Sequence, residues 1–275
     1  GETGRESSWA GGGIISPLYP WRYDESVTAL ARWSQAVYPE LCATLRDESG
    51  IDPEYITTGM LILDEHEQED ALSWAATHGA VVEIIDADAA HTHEPGLGLR
   101  PKSAMWLPEI AQVRNPRLTK ALRRSIEREV RVREHEEVVE LLVDQGRAAG
   151  ARTRKETIHA DKVVVCTGAW TAKLLEQLGT KPEIEPVRGQ IMLFFANPGQ
   201  VNHIVLFRER YVIPRKDGRI LIGSTLEHTG FLKTTTAEAK EELYRIAVEM
   251  FPLLRRTPIE NHWAGLRPGS PSGIP

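Results

Sequence analysis

The chain has 275 residues, of which 33 are Lys or Arg and 39 are Asp or Glu, for a formal net charge of −6. Hydrophobic residues make up 41% and charged residues 26%, the balance of a globular protein with a sizeable core. The acidic balance and the lack of a basic stripe speak against a nucleic-acid surface, and the apolar runs Val163–Cys166 and Ile191–Ala196 are far shorter than the ~20 residues of a membrane helix.

The first distinctive stretch, "RESSWAGGGIISPLYPW" (5–21), places three consecutive glycines among aromatic and apolar residues, which points to packed backbone rather than a flexible linker. Asp24 and Ser26 are candidate caps for a helix over 24–50, with Val27, Leu30, Trp33, Val37, Leu41 and Leu45 at helical spacing and Pro39 expected to kink or split it. A strand pair or bent strand around Gly59 follows (55–64), then a helix over 65–79 ending at Gly79, a strand over 80–86, and an amphipathic helix over 115–129 with Pro116 in its first turn. Residues 130–170 predict about four short strands with turns at Asp144–Gly146 and near Lys155. The last is Val163–Cys166, a buried strand with Cys166 as a small buried hydrophobe, switching to a helix over 169–178. Further strands fill 183–225, with a hairpin at Asp217–Gly218 joining Tyr211–Pro214 to Arg219–Gly223. A helix over 235–252 and a strand in "IENHWAGLRPGS" complete the pattern.

Two kinds of material therefore alternate: strand–Gly–helix segments suited to a nucleotide, and antiparallel strands suited to covering a substrate. The fold class is mixed α/β (α+β), with domains discontinuous in sequence. Two cysteines are too few for a disulfide framework, and cytosol is the default compartment.

Four stretches carry candidate chemistry. "SSWAGGGI" can lay backbone N–H groups and hydroxyls against a planar polar ligand, and "VVVCTGAW" turns from strand to helix through Gly168, where backbone can approach an anion. "YVIPRKDGRILIGST" carries Tyr211 and Arg215; "HWAGLRPGSP" holds Arg267 between Gly265 and Pro268–Gly269, a rigid mount for a guanidinium that can pair with a carboxylate. His91 and His93 have His-x-His spacing without further ligands, so no metal site is expected. The Glu65–Asp70 run and the Arg114–Arg133 positives read as solvated helix faces, and Trp33, Trp74 and Trp106 as core or rim packing.

Together with "PVRGQ" (186–190), these stretches in this order resemble the amino-acid oxidase family of FAD-dependent oxidoreductases, and within it the thiamine-biosynthesis branch that oxidises glycine. The resemblance spans essentially the whole chain. It implies a Rossmann-like FAD/NAD(P)-binding domain (1–50, 115–178 and 259–275) interleaved with an antiparallel-sheet substrate domain (51–114 and 179–258). The family's first βαβ unit, with its Gly-x-Gly-x-x-Gly turn, and its C-terminal segment are not found here, so the chain reads as a fragment truncated at both ends. The resemblance implies FAD as cofactor, with Ser7, Ser8, Gly11, Gly12, Gly13 and Ile14 near the flavin and Val138 (or Val139, one residue on) at the adenine. Thr167, Gly168 and Ala169 would lie near the phosphate and ribose, and Arg188 either near the flavin or on a solvent-facing strand. Tyr211 and Arg267 would hold the carboxylate of glycine or another small amino acid. Direct hydride transfer from a neutral amine, imine hydrolysis and reduction of O2 to H2O2 need no catalytic base, so none is nominated. A homo-oligomer follows by family analogy. Competing readings are another FAD-dependent D-amino acid or sarcosine oxidase or dehydrogenase, and an inactive fragment that folds without cofactor.

Overall fold

In the computed structural model, which describes residues 1–274, the first regular element is a single helical turn, α1 (Ser7–Ala10), ended by extended backbone at Gly11. The Asp24 carboxylate accepts the Ser26 N–H to start α2 (Glu25–Ser49), and Gly50 closes it in the left-handed region. Pro39 does not split this segment; it lies inside one helix of 25 residues. Cys42 and Leu45, three and six residues beyond the proline, are buried against α5 (below), and this packing holds the helix across the missing hydrogen bond.

Gly59, at φ 69°, has the Trp106 ring where a Cβ would stand, and it divides β1 (Ile56–Thr57) from β2 (Met60–Ile62). The helix α3 (Gln68–His78) ends at a left-handed Gly79. β3 (Glu83–Asp86) then runs directly into α4 (Ala87–His93), a helix not expected from the sequence, capped by the Asp86 carboxylate accepting the Ala89 N–H. Next come β4 (Ser103–Leu107), β5 (Ala111–Gln112) and α5 (Asn115–Ile126), with Pro116 in the first turn as expected.

Three strands rather than four follow: β6 (Val138–Asp144), β7 (Arg147–Thr153) and β8 (Thr157–His159), a separate antiparallel sheet. Val163–Cys166 is neither strand nor buried: Val164 is 83% exposed, and Cys166 is exposed rather than a core residue. An apolar run becomes a strand only where a neighbour supplies its ladder, and none of the described residues pairs with this one. A tight 3-10 turn at Gly168–Trp170 leads into α6 (Thr171–Leu175).

The rest of the chain supplies β9 (Glu185–Phe195), β10 (Ile204–Phe207), β11 (Arg210–Pro214), β12 (Arg219–Gly223), α7 (Ala237–Met250) and β13 (Ile259–Gly269). These strands join β2, β3 and β4 in one eight-stranded sheet of order β13-β9-β12-β11-β10-β2-β4-β3, antiparallel except between β10 and β2. β13 pairs with β9 from Ile259 to Gly269, so the chain on both sides of residue 258 belongs to a single sheet.

The two-residue period of a strand sorts side chains between two cores. Val212, Met192 and Phe194 join Leu243, Ala247 and Met250 of α7 on one face. Tyr211, Ile213 and Ile191 point to the other, where Ile14, Leu18, Tyr19 and Trp21 cover them. The glycine-rich stretch thus lies on the Tyr211 face of the sheet. Among the described residues, no helix is long and apolar enough to cross a membrane.

Candidate active site

Tyr211 is 6% exposed, and its ring lies in a slot between two glycines. A Cβ on Gly12 would come within 3.0 Å of Tyr211 Cε2, and one on Gly223 within 2.7 Å of the phenol oxygen. Burial pushes the phenol above its ordinary value of 10.0, while Ser224, Arg267 and Arg215 pull the other way, so it stays a neutral donor at physiological pH.

Arg267 shares this neighbourhood. On β13, Trp263, Gly265 and Arg267 face α1: a Cβ on Gly265 would meet Ala10, and Trp263 Nε1 donates to the Ala10 carbonyl at 3.0 Å. The Arg267 guanidinium lies directly over Gly189, where a Cβ would stand 2.5 Å from both terminal nitrogens. It donates to Ser224 Oγ at 2.5 Å and to the Thr225 carbonyl at 3.3 Å. Both acceptors are neutral. Arg267 forms no ion pair among the described residues, so a positive charge and unused N–H groups remain for an anionic ligand.

Arg215, in the same motif as Tyr211, has a different task. It is 8% exposed and donates to Gln112 Oε1 (2.7 Å), the Val113 carbonyl (2.9 Å) and the Gly12 carbonyl (2.6 Å). Burial, and then the neighbouring Arg114, push it down to about 10, still charged at neutral pH. It clamps the glycine stretch to the residues around β5.

Each of the three glycines answers to the chain's own packing. A Cβ on Gly11 would reach Asn115 Nδ2 at 2.9 Å; on Gly12, Ile213 Cδ1 at 2.9 Å; and on Gly13, at φ 81°, the Val113 carbonyl oxygen at 2.1 Å. Bonds from Val113 N–H to the Gly13 carbonyl and from Ile15 N–H to the Ala111 carbonyl fix the register. That register leaves the N–H groups of Gly12, Gly13 and Ile14 without acceptors among the described residues, as are the hydroxyls of Ser7 and Ser8. Gly12 is buried, and a row of orphaned donors there fits the acceptor-rich edge of a flavin.

The remaining candidates divide. The turn carrying Gly168 and Ala169 packs against β9 and β13; Ala169 is 2% exposed, Gly168 faces open space at φ 53°, and Thr167 Oγ1 lies 3.1 Å from Thr171 Oγ1. Val138 and Val139 sit exposed on β6 of the three-stranded sheet, which packs against α6 and the turn Glu176–Leu178 that follows it. Arg188 is not solvent-facing: it is 3% exposed and paired with Glu227. His93 stacks on Trp106 with centroids 4.2 Å apart, so its role is packing. Trp106 is core, whereas Trp33 is 64% exposed. Ser224, Gly189 and Gly223 carry no chemical signal in the sequence; only their placement beside Arg267 and Tyr211 makes them part of the site.

A family model, FAD dependent oxidoreductase, matches residues 1–275. The chain belongs to this family. This oxidoreductase is 48% identical over 277 residues to a glycine oxidase of Pseudomonas putida, covering 100% of the chain and 76% of that protein. It is 30% identical over 284 residues to the bifunctional protein ThiO/ThiG of Trichormus variabilis, covering 97% of the chain and 41% of that protein. The crystal structure of glycine oxidase from Geobacillus kaustophilus superposes with a TM-score of 0.93 at 26% identity, covering 100% of the chain and 76% of that structure. The family and fold class implied by the sequence motifs are thereby established.

Proposed function

We propose that this protein is a flavin-dependent amino-acid oxidase acting on glycine and small amines, with O2 as electron acceptor, in the service of thiamine thiazole formation. The observation that carries the reading is Arg267: a guanidinium without a carboxylate partner among the described residues, held over Gly189 beside a buried tyrosine, on the face occupied by the glycine-rich stretch. In this reading Arg267 binds the substrate carboxylate and Tyr211 donates its O–H to the same group. FAD would be held by Ser7, Ser8, Gly11, Gly12, Gly13 and Ile14, with Thr167, Gly168, Ala169 and Val138 toward its phosphate, ribose and adenine. When bound, it supplies the acceptor for the electron pair and hydrogen leaving the substrate α-carbon. The chain's own task is to fix the carboxylate so that this hydrogen has one orientation.

The test is anaerobic addition of glycine to the flavin-loaded protein, followed by flavin absorbance, for wild type and Arg267→Ala. Bleaching by glycine is expected, with the glycine requirement raised about a hundredfold in R267A, the loss of two charge-assisted hydrogen bonds. Tyr211→Phe should give a smaller loss, about tenfold or less. Bleaching by a different amino acid alone would reassign the substrate; protein that takes up no flavin would end the oxidase reading.

A further inference from the structure

Arg188 and Gln190 flank Gly189 on β9, so the strand period turns both side chains to the face opposite Arg267. There they enclose Glu227. Its carboxylate pairs with the Arg188 guanidinium, accepts Gln190 Nε2 at 2.8 Å and accepts the Thr225 hydroxyl at 2.5 Å. Backbone bonds of 2.9 Å run both ways between residues 188 and 227. Arg188 also donates to the Thr234 carbonyl at 3.0 Å, and Gln190 Oε1 accepts the Thr236 N–H at 2.9 Å, which pins the far end of the same loop. Gln190 is fully buried, and Arg188 and Thr225 are 3% and 5% exposed. Burial opposes the charge on Glu227, yet Arg188, Thr225 and Gln190 hold its carboxyl below the usual range, so it is ionised across any practical assay pH.

Thr225 joins the two faces. Its hydroxyl donates to Glu227 and accepts the Gln190 N–H at 2.9 Å, while its carbonyl accepts from Arg267. The other acceptor for Arg267 is the adjacent residue, Ser224. One dipeptide therefore aims the guanidinium, and Glu227 fixes that dipeptide from behind the sheet.

We propose that Glu227 is a positioning residue for substrate carboxylate binding, acting through Thr225 and Ser224 on Arg267. The inference rests on the reading of Arg267 as the carboxylate-binding group. Glu227→Gln replaces one acceptor oxygen by a donor facing Arg188, Gln190 or Thr225, and the carboxylate site should loosen while the flavin site, built from residues 7–14, does not change.

The experiment uses the flavin-loaded protein and glycolate, a small carboxylate without an amine, titrated by its perturbation of flavin absorbance. E227Q should raise the glycolate Kd and the glycine KM together, about tenfold, with kcat within about twofold and flavin affinity unchanged. Thr225→Val, which removes only the bridging hydroxyl, should raise both about threefold and decides the matter alone if E227Q does not fold. Wild-type glycolate affinity in T225V and in folded E227Q overturns the proposal. So does a parallel loss of flavin affinity and kcat, the mark of a merely structural role. R267A, measured alongside, separates the two readings: if it too binds glycolate normally, the carboxylate site itself is misassigned. If it alone is impaired, only the role of Glu227 fails.

Discussion

Gly13→Ala tests why three glycines stand in a row, and Gly146→Ala is its control. Both glycines are left-handed, at φ 81° and φ 78°. Placing alanine in that conformation costs about 1–2 kcal/mol at either site. Nothing lies within 4 Å of a Cβ on Gly146, whereas a Cβ on Gly13 meets the Val113 carbonyl oxygen at 2.1 Å and Asn115 Oδ1 at 2.6 Å. Restoring ordinary contact requires one backbone to retreat by about 1 Å or more. That movement strains the bonds from Val113 N–H to the Gly13 carbonyl (2.8 Å) and from Ile15 N–H to the Ala111 carbonyl (2.9 Å). Two weakened hydrogen bonds at about 1 kcal/mol each, with overpacking of about 1–3 kcal/mol, bring the loss in G13A to about 4–7 kcal/mol. Urea unfolding followed by tryptophan fluorescence reads both variants against wild type. A gap of about 3–5 kcal/mol between them is expected, with flavin affinity reduced only in G13A, because the free N–H groups of residues 12–14 move with the backbone. Equal losses would show that residue 13 needs glycine only for its dihedral angle and that the contact with Val113 carries no weight.

Gly189→Ala puts a methyl group where the Arg267 guanidinium lies, 2.5 Å from both terminal nitrogens, on a strand whose backbone suits any residue. The flexible arginine tip yields first, so stability should fall by about 1 kcal/mol or less while glycolate affinity drops about tenfold or more, as read by flavin absorbance; unchanged affinity would refute the placement of Arg267. Burial, and then His203, hold His93 below its ordinary value of 6.5, with Glu83 and Glu94 pulling weakly the other way. The unfolded chain therefore takes up this proton first as pH falls. The stability contributed by neutral His93 is complete above pH 6.5 and is lost as pH drops through the lower folded value. His93→Gln should flatten the decline in urea stability between pH 7 and 5, and an identical slope in both proteins would contradict it.

Much of the fold was legible because its signals are local. Asp24 before α2, Gly79 after α3, the Gly59 break and the hairpin at Asp217–Gly218 each follow from what one residue can do to its own backbone, and all four stand where the sequence places them. The family motifs likewise pointed to FAD, and they singled out Tyr211 and Arg267, which the fold brings into one neighbourhood and whose substrate role is the proposal above. What escaped the sequence depends on partners far along the chain. Val163–Cys166 has the composition of a buried strand but no neighbour among the described residues to complete a ladder, and Pro39 is absorbed because α5 supports the helix around it. The glycine triplet could be seen at once, but its reason lies at Val113, Tyr211 and Ile213, up to two hundred residues away. Arg215, Arg188 and Arg267 are chemically alike in sequence. Tertiary structure alone made the first a clamp on Gly12, the second the partner of Glu227, and the third a charge without a counterion among the described residues, because the role of a guanidinium is set by which acceptors surround it.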